Sequence, residues 1–74
     1  MREWLTGKNP VYEALRVKRR HFFNLLLQQD IRVEGRLKEI LELARQQKIP
    51  VRQANKQQLG QIDRHHQGLA LEAS

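Results

Sequence analysis

A chain of 74 residues sits near the size at which folding buries only about 60% of the surface that the unfolded form exposes, so a second domain within it is excluded. Its 39% hydrophobic and 30% charged residues exclude a disordered chain, and its lack of cysteine excludes disulfides and thiolate metal ligands. The net charge of +6 and pI near 10.6 point to a polyanionic partner, with nucleic acid the leading class, while solubility or an acidic protein partner would account for the charge too.

In chain order, Glu3-Trp4-Leu5-Thr6 predicts a short strand, and Gly7-Lys8-Asn9-Pro10 turns it into a helix. Asn9 is a preferred N-cap and Pro10 suits the first helical position, so the helix is expected to start at Pro10. Val11, Ala14 and Leu15 form its buried face, and Arg16, Lys18, Arg19 and Arg20 gather at its C-terminal end. His21 to Gln28, rich in Phe and Leu with little polar alternation, predicts a central strand. Leu37, Ile40, Leu41 and Ala44 follow helical spacing and predict a helix from about Glu34 to Gln47.

Ile49-Pro50-Val51-Arg52 reads as a brief strand with proline at its start. Asn55 then caps a third helix that turns Leu59 and Ile62 inward, although Gly60 weakens it by about 1 kcal/mol. After the polar stretch Asp63-Arg64-His65-His66-Gln67, Gly68 opens a last strand at Leu69-Ala70-Leu71, with residues 71–74 expected to begin a linker. The order β-α-β-α-β-α-β predicts a sheet with helices on its faces, in one domain spanning residues 1–74. No apolar run exceeds Leu25 to Leu27, far below the roughly 18 residues of a membrane helix. The residues Met1 to Leu5 lack the apolar stretch of a secretory signal. The expectation is a protein of the cytoplasm, or alternatively the mitochondrion, with no membrane partner.

Three groups of residues are candidates for function. The turn Gly7-Lys8-Asn9 joins a flexible glycine, a cation and the free N–H groups of a helix start, a combination that suits a phosphate oxygen. Simple capping accounts for Asn9 and Pro10 equally well. The cluster Arg16, Lys18, Arg19 and Arg20 has few acidic neighbours and suits a phosphate backbone, or else a solvated helix end. Lys48, Arg52, Lys56 and Arg64 form a second basic group, and His66-Gln67-Gly68 offers hydrogen-bonding groups beside a close backbone approach. The pair His65-His66 lacks the further ligands of a metal site. Trp4 and Tyr12 suit base stacking if exposed, with core packing the favoured place for Trp4. No nucleophile-base pair or carboxylate pair is evident, so no catalytic residue is assigned.

Taken together, Gly7-Lys8-Asn9-Pro10-Val11-Tyr12-Glu13-Ala14-Leu15-Arg16, then Ile49-Pro50-Val51, then His66-Gln67-Gly68-Leu69-Ala70 resemble the N-terminal substrate-binding domain of SpoU-type RNA ribose 2′-O-methyltransferases. The resemblance covers nearly the whole chain, through GxNPVxEAL near the start and HQG before the last strand. It implies a three-layer α/β/α fold similar to kink-turn-binding ribosomal proteins. It also implies ribosomal RNA as partner, and a knotted C-terminal domain that binds S-adenosylmethionine and transfers a methyl group, of guanosine-2′-O type, in a homodimeric parent enzyme.

The catalytic arginine and cofactor loops of that family have no counterpart in these residues, so this stretch is expected to be monomeric and without cofactor. In the ribosomal relatives a Gly-x-Asn turn touches RNA, and Gly7, Lys8 and Asn9 match it. Pro10 replaces the acidic residue usual there. The expected RNA-binding set is Gly7, Lys8, Asn9, Arg16, Lys18, Arg19, Arg20, Arg64, His66 and Gln67, on one common surface. The alternatives are a protein-interaction module and a free-standing kink-turn protein.

Overall fold

The structure, a computed structural model, describes residues 2–74; Met1, part of the expected domain, lies outside the described residues. Four strands and three helices alternate: β1 (Glu3–Thr6), α1 (Lys8–Val17), β2 (Phe22–Gln28), α2 (Arg36–Gln46), β3 (Val51–Ala54), α3 (Lys56–Ile62) and β4 (Leu69–Ala73). They form one sheet in the order β1-β4-β2-β3. The β2–β3 pair is parallel, as a crossover through α2 requires, while β4 runs antiparallel to both β1 and β2.

Side-chain alternation divides the core between the two faces. Leu25 of β2 and Leu69 and Leu71 of β4 point to one side, where Val11 and Leu15 of α1 and Leu37, Ile40 and Ala44 of α2 bury them. On the other side Leu59 of α3 closes over Ala54 and Ala70, with Leu26 and Ile62 at the margin. These are the three layers that the element order predicts. Among the described residues no helix is long and apolar enough to cross a membrane.

Several boundaries differ from expectation, each for a physical reason. The first helix begins at Lys8 with Gly7 as its N-cap, and Asn9 caps nothing. The side chain of Gln67, from a loop distant in sequence, accepts the Lys8 N–H at 2.7 Å, so a tertiary acceptor replaces the local cap. Pro10 still falls within the first turn, where its missing donor is tolerated. The helix ends at Val17, and Lys18 adopts φ 60° with its N–H on the Ala14 carbonyl, so the cations 18 to 20 leave the helix.

The second helix starts after Gly35, and β3 starts at Val51, because Ile49 turns back to donate to the Ala44 carbonyl at 2.9 Å. Asn55 does cap α3, in a reciprocal box with Gln58. The last strand continues to Ala73, which is fully buried and paired with both Glu3 and Phe22. Residues 71 to 73 are therefore sheet, and they do not begin a linker.

Candidate nucleic-acid interface

The register places Thr6, Gln28, Ala54 and Leu69 at one end of the sheet, and Glu3, Phe22 and Ala73 at the other. At the first end, the β1–α1 turn and the loop from Asp63 to Gly68 are joined by three hydrogen bonds. Thr6 Oγ1 donates to Asp63 Oδ2 at 2.5 Å, Gly7 N to His66 O at 3.2 Å, and Lys8 N to Gln67 Oε1 at 2.7 Å. These bonds bridge 57 to 59 residues of sequence, and they bring together the two stretches that sequence reading singles out.

Backbone conformation explains why this junction has its residues. Gly7 has φ +87°, and a Cβ there would meet Gln67 Oε1 at 3.4 Å. Gln67 itself sits at φ 54°, a left-handed conformation that costs a non-glycine residue roughly 1 kcal/mol. Its side chain bonds the start of α1 from that position. Gly68 follows at φ +89°, its N–H on His66 Nδ1 at 2.8 Å and its carbonyl receiving the Gln28 N–H at 2.8 Å. Two positive-φ residues in succession fold the loop tightly against β2.

His66 is 8% exposed, its Nδ1 accepts from Gly68, and its carbonyl accepts from Gly7 and Leu69. His66, expected from the sequence as an RNA contact, thus shapes the loop from inside and shows little of itself to solvent. The helix start is also less open than expected. Lys8 N is capped, Pro10 has no N–H and Gly7 N is bonded, which leaves only the Asn9 N–H as an unused donor of that turn. Phosphate binding by a cluster of helix-start donors is thus not supported. What faces solvent at this end is a set of side chains: Lys8, Asn9, Arg64 and Gln67 are all exposed.

Asp63 was not singled out from the sequence, yet it fixes the loop to β1. Its pKa is held below the ordinary carboxylate value first by the Thr6 hydroxyl, then by the His65 backbone N–H, with charge attraction from His65 and His66 adding to these. A lowered folded-state value means that the ionised form favours folding. Its contribution is present above the unfolded value of about 4 and is lost as pH falls through the folded one. Accordingly, Asp63→Asn is expected to lower the unfolding midpoint at neutral pH and to flatten its decline below about pH 4. Urea midpoints of parent and variant across that range test this; parallel acid limbs would refute it.

The arginine-lysine cluster lies elsewhere. The ten-residue α1 spans about 15 Å and carries the chain to the opposite end of the sheet. There Arg20 pairs with Glu3 at 2.5 Å and bonds the Ser74 carbonyl, while Arg16 lies 3.7 Å from Glu13 on the same helix. The expectation of one common surface is overturned: Gly7, Lys8, Asn9, Arg64 and Gln67 occupy one end, and Arg16, Lys18, Arg19 and Arg20 the other. Two of those four cations are already paired with carboxylates; Lys18 and Arg19 are exposed and have no ion-pair partner among the described residues.

The second basic group is dispersed in the same way. Arg64 sits at the junction, Lys56 starts α3 beside the β3 edge, Arg52 lies on β3, and Lys48 follows α2. Tyr12 is half-buried beneath Arg36 at 4.0 Å and Arg16 at 5.5 Å, so its ring is covered by cations and is not a free stacking face. Trp4, for which core packing was favoured, is 39% exposed.

The family described as RNA 2′-O ribose methyltransferase substrate binding matches residues 4–74. A solved structure from Bacillus halodurans, described as a protein with unknown function, superposes with a TM-score of 0.70 at 25% identity. The match covers 93% of this chain and 69% of that one. No curated protein matches.

Proposed function

The chain belongs to the RNA 2′-O ribose methyltransferase substrate-binding family, and from that premise we propose that it holds ribosomal RNA for a tethered domain that uses S-adenosylmethionine to methylate a ribose 2′-hydroxyl. In this reading the chain itself contributes recognition, and methyl transfer belongs to the tethered domain. The observation that carries the reading is the junction of Thr6, Gly7 and Lys8 with Asp63, His66 and Gln67. It fixes two loops into one surface with Lys8 and Arg64 as cations and Asn9 and Gln67 as neutral hydrogen-bonding groups. Cations position phosphates, and amides bond sugars or base edges.

The finer parts of the reading rest on the resemblance in GxNPVxEAL and HQG. They are a ribosomal substrate, guanosine as the modified nucleotide, and a homodimeric parent enzyme; a place in the cytoplasm is inferred from the sequence composition alone. Pro10 in place of the acidic residue argues against kink-turn specificity and for another RNA structure.

The double variant Lys8→Glu/Arg64→Glu is the direct test, with affinity for ribosomal RNA fragments measured at several salt concentrations. A loss of at least about tenfold is expected, with the slope of log affinity against log salt reduced by about 2, one for each phosphate contact removed. Unchanged affinity and slope would show that RNA does not bind at this end of the sheet.

A further inference from the structure

The third helix starts after Asn55, beside β3, and ends at Asp63, which bonds Thr6 on β1. It therefore crosses all four strands at one end of its face. Across the strands, Thr6, Ala70, Leu26 and Arg52 form a single row, and α3 packs its side chains on Ala70 and Leu26. The next row on the same face is Trp4, Glu72 and Asn24. That row lies beyond the side-chain cluster of α3, and Trp4 is left 39% exposed in a protein with little apolar material to spare.

The residues around Trp4 are ordered by their own contacts. Arg2 lies 3.8 Å above the Phe23 ring, and His21 meets that ring edge-on at 4.5 Å. Glu72 accepts from Asn24 Nδ2 at 3.0 Å and lies 3.4 Å from Arg2, whose side chain remains 59% exposed. Trp4 and Phe23 lie two strands apart, about 10 Å by sheet spacing, so Trp4 and the Arg2 guanidinium above Phe23 can each serve a separate base. Both carboxylates at this end are engaged, Glu72 by Arg2 and Glu3 by Arg20. Lys18 and Arg19, in the α1–β2 connection that enters this end of the sheet, are exposed and have no ion-pair partner among the described residues.

An exposed indole, a guanidinium held over an aromatic ring and two unpaired cations together match the chemistry of unpaired nucleotides. Every base offers a π-face to stack, and each phosphate offers a charge. We infer that this uncovered end of the sheet is a second RNA contact, which stacks unpaired bases on Trp4 and on the exposed guanidinium plane that Arg2 holds over Phe23, with Lys18 and Arg19 of the adjoining α1–β2 connection as phosphate partners. The inference rests on the RNA-binding reading above and adds a single-stranded segment to it.

Trp4 is the only tryptophan, so its emission reports on this face alone. The experiment titrates the chain with a labelled oligouridylate of about ten nucleotides and with a duplex of equal length, following tryptophan emission and label anisotropy together. Saturable quenching by the single strand, in step with anisotropy, is expected, and the duplex should quench little. Trp4→Ala should weaken oligouridylate binding about tenfold, within the range for losing one stacked base. Trp4→Phe should restore most of that loss, which separates stacking from any defect in folding.

Emission unmoved by bound oligonucleotide, or affinity unchanged in Trp4→Ala, would overturn the inference. If binding instead depends on Lys8 and Arg64 while Trp4 stays silent, the earlier reading stands and this one falls. Absence of any RNA binding overturns both. An emission change that follows chain concentration assigns the face to self-association, and that too overturns it.

Discussion

Gly68→Ala is expected to destabilise the protein by about 3 kcal/mol and to weaken RNA binding in the same variant. Two independent costs combine. The φ of +89° disfavours any L side chain, and the new Cβ would stand 2.2 Å from Ile31 Cδ1. Ile31 is half-buried against the main core, so moving its Cδ1 aside gives up part of that packing. Because Gly68 N bonds His66 Nδ1 and Gly68 O bonds Gln28 N, displacement here moves Gln67 away from Lys8. The loop and the helix start would then separate.

A double variant apportions these costs. Ile31→Ala removes the clashing atoms and leaves the backbone strain, so Gly68→Ala should cost less in that background, with a coupling of about 1–2 kcal/mol. Urea unfolding of the four proteins gives the cycle. If Gly68→Ala unfolds at the parent's urea concentration, the tight-loop account is wrong.

Leu25→Ala is expected to have an effect as large or larger, about 3–4 kcal/mol, read as a fall in the thermal midpoint of roughly 4–8 °C per kcal/mol. Leu25 is fully buried, pairs with Leu71 on one side and Val51 on the other, and faces α1 and α2. A chain of 74 residues has a total stability of only about 4–11 kcal/mol. The variant is therefore expected to be partly unfolded at physiological temperature, with loss of RNA binding following loss of fold. Val51→Ala, at an exposed edge-strand position, is the control and should change the midpoint little. Equal effects from the two substitutions would mean that the core is not centred on β2.

How much of this was legible in the sequence depends on the range of the signal. Helical spacing in Leu37, Ile40 and Ala44 located α2, and the Asn55 cap located α3, because those signals act within a turn or two. Alternation along β4 was underestimated: Glu72 and Ala73 look like a polar tail, but Ala73 is buried by partners on two other strands. Asn9 had the chemistry of a cap and was displaced by Gln67, 58 positions away. A local rule has no access to such a competitor.

The motifs at Gly7-Lys8-Asn9 and His66-Gln67-Gly68 marked the two loops that the fold joins at one end of the sheet, and composition gave the sign of the net charge. Periodicity and element order by themselves determined three helices and four strands in α/β/α layers, since each depends on spacing along the chain. Only the tertiary structure decided which cations share a surface. The length of α1 carries Arg16 to Arg20 to the far end of the sheet, and pairing with Glu13 and Glu3 neutralises two of them. Likewise, α3 lies over the row of Ala70 and Leu26 and leaves the Trp4 row uncovered, and where a helix lies over a sheet is set by packing between elements, which no run of neighbouring residues encodes.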